Sequence, residues 1–181
     1  MFNNEFTLTG KSPNPVSIIS KASNLSDGEN ILAGVYDHGL ITICDNSRFD
    51  FSTLKDWSAH IGEEALPLAY TAWGEVFCIS YSHKKLYWLF PIENGASDLG
   101  SSAFSILDNI KTDQKLASSL LDIERYKELS SMLPSLNYGE CYILKPLQIL
   151  GGNEQDPSAY QTIGLENYLS LVHQTHDQIH S

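Results

Sequence analysis

Basic side chains are scarce. Of 181 residues only 11 are Lys or Arg, against 22 Asp or Glu, for a formal net charge of −11. Phosphate contacts are made mainly by Lys and Arg, so this composition argues against direct binding of nucleic acid or of an anionic membrane. Cysteine is equally sparse. Cys44, Cys78 and Cys141 are odd in number, widely spaced and free of any CxxC pair, which excludes a disulfide framework or a zinc ribbon. Each sits among apolar neighbours, as in Phe77-Cys78-Ile79, and reads as a small buried hydrophobe in a reducing compartment. No apolar run approaches the ~18 residues of a membrane span. The start, Met1-Phe2-Asn3-Asn4-Glu5, has no positive region followed by an apolar stretch, so no secretory signal is expected and the location is expected to be cytoplasmic.

Catalytic motifs are missing as well. There is no phosphate-binding glycine loop, no GxSxG elbow and no HExxH zinc helix. Gly151-Gly152-Asn153 lacks the following Lys and a third glycine, so it reads as a turn. A two-carboxylate hydrolase site would have to be assembled from distant residues, and with 22 carboxylates some pairing, such as Glu63-Glu64, arises by chance. His173-X2-His176-X3-His180, with Asp177 beside it, has the i, i+3, i+7 spacing that puts three imidazoles on one helical face. Chain ends fray, however, and a frayed segment does not hold ligands in fixed geometry. A solvated tail is the expected state, with metal binding as the alternative. His38, His60 and His83 are isolated. The expectation is a protein without catalytic residues, cofactor or resident metal.

What the chain does have is material for a core: 42% apolar residues, with nine Tyr, seven Phe and three Trp. Residues 1–30 are polar and turn-rich around Lys11-Ser12-Pro13-Asn14-Pro15, and predict either an edge strand or a loosely held arm. From residue 31 to 181 the texture is that of one domain. Ile31–Tyr36 and Leu40–Cys44 read as strands flanking the turn Asp37-His38-Gly39. Leu54, Trp57 and Ile61 share a helical face, with Ser52 placed as a cap. A meander follows in Leu68–Ala72, Glu75–Ser80 and Lys85–Phe90. Phe104, Leu107 and Ile110 predict a helix. A second is predicted from Thr112, with Leu116, Leu120 and Ile123 on one side and Leu129, Met132 and Leu133 extending the apolar pattern. Cys141–Leu144 is a last strand, and Leu165–Val172 a closing helix. Strands first, then helices, then a strand and a helix, predict an α+β fold: a mostly antiparallel sheet of hairpins with helices packed on it, in a single compact domain.

The negative charge is not spread evenly. Lys145 is the last basic residue of the chain. Between residues 45 and 75 stand Asp45, Asp50, Asp56, Glu63, Glu64 and Glu75 against only Arg48 and Lys55. These six carboxylates are the candidate partner-binding residues, chosen by charge alone. A generally solvated surface is the plainer explanation.

Three stretches, in order, resemble a bacterial family. Gly39-Leu40-Ile41-Thr42-Ile43-Cys44-Asp45 is similar to its Gly-Leu-hydrophobic strand before a polar turn and a Phe, here Phe49. Tyr70-Thr71-Ala72-Trp73-Gly74-Glu75-Val76-Phe77 is similar to its Ala-Phe-Gly-Asp strand pair, with Trp73 for Phe and Glu75 for Asp. The run from Leu136 through Glu140, Tyr142, Pro146 and Leu147 to Gly151-Gly152 resembles its most specific signature. The family is that of the immunity proteins of type VI secretion DNase effectors, whose C-terminal module often follows a GAD-like domain. The resemblance covers about residues 31–175. It implies a cytoplasmic antitoxin that binds a cognate toxin delivered by neighbouring cells, expected to be a nuclease, and covers its basic surface. A module directed at a non-nuclease toxin is the alternative within the family. A small metal-binding or hydrolytic protein is the alternative outside it. An acidic inhibitor also makes physical sense against a DNase, whose basic DNA-binding surface would steer the encounter. Trp57, Trp73 and Trp88 are available as aromatic anchors, with core packing the more ordinary use for most of them.

Overall fold

A computed structural model describes residues 7–16, 32–45, 48–101 and 114–180. Seven consecutive strands form one antiparallel meander in chain order: β1 (Leu8–Val16), β2 (Leu32–Tyr36), β3 (Ile41–Ile43), β4 (Ala65–Thr71), β5 (Val76–Ser80), β6 (Lys85–Phe90) and β7 (Gly95–Asp98). The β-branched and aromatic residues that favour a pleated surface are concentrated in its centre, where β3 is buried on both faces and β4 almost so. Both ends are weaker. β7 is the short, polar run Gly95-Ala96-Ser97-Asp98. β1 carries Pro13 and Pro15, and its pairing with β2 shifts register between Lys11 and Val16. Proline cannot donate to a ladder, so this segment fits at an edge.

A second sheet pairs β8 (Glu140–Leu144) with β9 (Tyr160–Gly164). The Tyr142 N–H donates to the Ala72 carbonyl at 2.7 Å, joining this hairpin to the end of β4. Among the described residues four α-helices pack with the sheets: α1 (Ser58–Ile61), α2 (Gln114–Leu121), α3 (Ile123–Ser130) and α4 (Leu165–His180). α4 buries Leu165, Tyr168, Leu169, Val172, Thr175 and His176, an i, i+3, i+4, i+7 stripe that packs on β8 and β9. One continuous core runs from Tyr36 and Ile41 through Trp57 and Phe77 to Tyr142 and Val172. This is the α+β architecture, a mostly antiparallel sheet with helices packed on it in a single compact domain.

Several elements differ from what the sequence predicts. The helix expected over 52–61 is a 3-10 turn (Lys55–Trp57) followed by the single turn of α1. Asp50 Oδ1 accepts from both the backbone and the hydroxyl of Ser52, at 2.7 and 2.6 Å, so Ser52 closes a local turn instead of capping a helix. The apolar face was nonetheless legible, since Leu54, Trp57 and Ile61 are all buried. The helix expected from Thr112 through Ile123 is interrupted by Asp122 in the left-handed region (φ 48°), which turns the chain from α2 into α3. Met132 is exposed. The closing helix runs to His180, eight residues past its expected end. β7 and β9 had no sequence signal. The expected helix of Phe104, Leu107 and Ile110 lies outside the described residues, as does Thr112.

Candidate functional site

The three stretches that carry the resemblance converge in space. The Asp45 N–H, at the end of the first, donates to the Tyr138 hydroxyl of the third at 2.7 Å. The Gly139 N–H of the third donates to the Tyr70 hydroxyl of the second, also at 2.7 Å. Ala72 closes the triangle, its N–H donating to the Leu40 carbonyl at 3.1 Å. Phe49 fills the middle, 5.8 Å from the rings of both Tyr70 and Tyr138. Burial raises the Tyr70 and Tyr138 phenols well above their usual range, so both stay neutral donors and acceptors. These motifs bind the two sheets together. Replacing Tyr70 by Phe removes the acceptor for a buried N–H, and a loss of roughly 1–3 kcal/mol in a urea unfolding curve is the expected result.

The six candidate carboxylates separate into two groups. Asp50, Asp56, Glu63 and Glu64 are exposed. Asp45 is fully buried, and its Oδ1 accepts from the Arg48 N–H at 3.2 Å. It faces its own chain, where it also accepts at its carbonyl from the Phe49 N–H, and so is not a partner contact. Glu75 lies largely inside a cleft. The exposed surface beside Asp50 and Glu64 also carries an aromatic pair. Phe51 and Tyr81 are 48% and 42% exposed, with ring centroids 5.7 Å apart in an edge-on arrangement. The Tyr81 N–H donates to the Glu64 carbonyl at 2.8 Å, while Asp50 directly precedes Phe51. Lys84 is exposed in the same turn as Tyr81, and Lys85 is paired with Asp98. No periodicity marks Phe51 or Tyr81, because both stand in turns.

The tryptophans have mostly structural work. Trp57 is fully buried and meets the His173 ring edge-on at 5.4 Å. Trp88 stacks on Phe77 at 5.7 Å. The thiols of Cys44, Cys78 and Cys141 are buried and unpaired, and burial lifts the Cys78 thiol to about 12, which keeps it protonated and unreactive. The C-terminal histidines are held by the helix and used individually. His176 is buried with Nε2 at 2.9 Å from the Pro91 carbonyl, and His173 lies 3.4 Å from Asp177. Among the described residues no cluster of three or more His, Cys, Asp or Glu is arranged to hold a metal ion.

Between the β4–β5 turn, the β6–β7 turn, α2, α3 and the second sheet lies a cleft of about 330 Å³. Trp73, Tyr142 and Tyr160 form an aromatic wall, the Trp73 ring 5.8 and 5.9 Å from the two tyrosines. Arg125 from α3 lies over the Trp73 ring at 4.5 Å and donates to the Tyr160 hydroxyl. It also pairs with Glu154 at 3.3 Å and with Asp122 at 3.6 Å. Two further carboxylates, Glu75 and Glu93, face the same space. Burial pushes the Glu75 carboxyl up to about 7, with the nearby charges of Glu93 and Asp122 adding to the rise. The cleft therefore offers a proton held near neutrality and negative charge set against aromatic faces. Sequence reasoning had Trp73, Glu75 and Tyr142 of this group, though not as one site. The others come from four separate segments, and no single spacing rule connects them.

No family model matches the chain, and no curated protein matches it. Among the described residues no helix is long and apolar enough to cross a membrane. The chain is similar to a solved structure, the crystal structure of Atu4351 from Agrobacterium tumefaciens, at 14% sequence identity and a TM-score of 0.58. The similarity covers 78% of this chain and 69% of that one. At that identity the two share a fold, and function has to be argued from the site.

Proposed function

We propose that the protein is an immunity protein: a cytoplasmic binder that neutralises a basic toxin, of the kind that type VI secretion delivers as a DNase, by covering its DNA-binding surface. The observation that carries this reading is the exposed Phe51–Tyr81 pair next to the exposed acidic residues Asp50 and Glu64. Aromatic side chains within a polar rim are what protein–protein interfaces concentrate at their energetic centre. The net charge of −11 supports a basic partner, and the three family-like stretches support the immunity assignment. Inhibition by occlusion needs no catalytic residue in the inhibitor.

Coexpression with the product of the adjacent gene tests the reading. Rescue of growth and a stable complex on a sizing column are the expected results; continued killing without a complex rejects it. Within such a complex, the combined change Asp50→Asn, Asp56→Asn, Glu63→Gln and Glu64→Gln should slow association on the order of tenfold at low salt. Stopped-flow mixing at two ionic strengths reads this directly. Unchanged rates would place the interface elsewhere.

A further inference from the structure

We propose that the cleft behind the β4–β5 turn is a binding site for a guanidinium group, held between Glu75 and Glu93 against the wall formed by Trp73, Tyr142 and Tyr160. This inference does not rest on the immunity reading and concerns different residues from the Phe51–Tyr81 surface.

Charge selects the sign of the ligand. Among the described residues four carboxylates, Glu75, Glu93, Asp122 and Glu154, face the cleft against one cation, the guanidinium of Arg125. Arg125 is already engaged with Asp122 and Glu154. Among the described residues neither Glu75 nor Glu93 has a basic partner within ion-pair distance, so these are the two cleft carboxylates that a cation could still pair with. An anion would be repelled. A metal ion is disfavoured as well, because among the described residues no three candidate ligands converge. What remains is an organic cation, and the cleft already shows which kind its walls accept. Arg125 stacks on Trp73, donates to Tyr160 and reaches two carboxylates, which are the three contacts a planar, forked donor makes best. A second guanidinium at Glu75 and Glu93 would find two carboxylates in a cleft whose lining also includes the Tyr142 ring. A volume of about 330 Å³ suits a small group, lying at the lower end of the roughly 300–1,000 Å³ of ligand sites.

Binding should also depend on pH. The groups facing Glu75 are Glu93 from the β6–β7 turn, Asp122 between α2 and α3, Arg125 and Glu154 across the cleft, and Tyr168 from α4. Arginine keeps its charge throughout, so ionisation of Glu75 near neutrality should strengthen binding as pH rises.

Isothermal titration of the full chain with N-acetyl-arginine-N-methylamide tests the site. The expected result is saturable one-to-one binding at pH 8 that weakens up to about tenfold at pH 6. The citrulline analogue, neutral and almost isosteric, should bind at least tenfold more weakly. Glu93→Gln, a change at an exposed side chain, should lower the affinity several-fold, and adding Glu75→Gln should remove binding together with its pH dependence. Propylguanidine, with the same single charge, distinguishes the source of the ligand: tighter binding than the capped amino acid points to a free small molecule, equal or weaker binding to an arginine side chain on a polypeptide. Citrulline binding as well as arginine, or no saturation by either guanidinium, overturns the proposal. Because the probes are small molecules, failure of the coexpression test leaves this result unaffected, and the reverse also holds.

Discussion

Glu75→Gln should make the protein more stable at pH 8 and leave it unchanged at pH 4. The Glu75 carboxyl sits near 4.5 in an unfolded chain and is raised to about 7 in the folded one, first by burial and then by Glu93 and Asp122. Between those values the folded state holds the proton more tightly, so wild-type stability is fully present below about pH 4.5 and falls as pH rises to 7. Above that it levels off. The displacement corresponds to a cost on the order of 3 kcal/mol, which a neutral amide does not incur. Urea unfolding of both proteins at pH 4, 6 and 8 checks this. The midpoints should coincide at the acid end and separate at the alkaline end, with Gln the more stable. Parallel curves would mean that Glu75 reaches solvent and is not perturbed. A carboxylate kept where it costs stability is characteristic of a site maintained for binding, and a cationic ligand would relieve that cost.

Gly74→Ala should be among the most damaging substitutions outside the core. Gly74 turns the chain between β4 and β5 at φ 82°, a conformation that side chains with a Cβ rarely adopt. An added methyl would stand 2.3 Å from Cε1 and 2.7 Å from Cδ1 of Tyr168. Tyr168 is 2% exposed on the packed face of α4, so its ring can give way only toward the cleft it lines. Backbone strain of about 1–3 kcal/mol and overpacking of similar size add to roughly 2–6 kcal/mol. Gly151→Ala is the matched control, at φ 87° with no atom within 4 Å of the new methyl. It isolates the backbone contribution and should cost about 1 kcal/mol. Equal thermal shifts for the two variants would remove Tyr168 from the explanation. A larger shift at Gly74, with a changed Tyr signal in the near-ultraviolet dichroism, supports it.

The parts of the fold legible in the sequence are those where one local pattern settles the outcome. Ile41-Thr42-Ile43 and Val76-Phe77-Cys78-Ile79 are β-branched or apolar enough to be strands in almost any context, and they form the sheet's centre. The stripe on the closing helix began at Leu165, and buried Thr175 and His176 carry it beyond Val172. That extension was invisible because Thr and His are not apolar, and only the Pro91 carbonyl explains why an imidazole is acceptable there. The break at Asp122 was equally hidden. Leu120 and Ile123 keep helical spacing across it, and the left-handed residue between them gives no signal in composition. β9 reads Tyr160-Gln161-Thr162-Ile163-Gly164, too polar to stand out, and is a strand because β8 offers it a hydrogen-bonding edge.

The site follows the same rule. Charge alone nominated six carboxylates between residues 45 and 75, but charge carries no information about burial. Asp45 turned inward to hold the chain after β3, and Glu75 entered the cleft. Glu93, Arg125 and the Glu154–Tyr160 segment lie far apart in the chain and meet only when the second sheet docks on the end of β4. The sequence by itself determined the net charge, the antiparallel class and the absence of known catalytic motifs, because these depend on composition and on patterns within a few residues. Tertiary structure alone decided which carboxylates reach solvent, which is raised toward neutrality and where aromatic faces gather around them. Desolvation and charge–charge coupling act over distances in space, and spacing along the chain does not encode them.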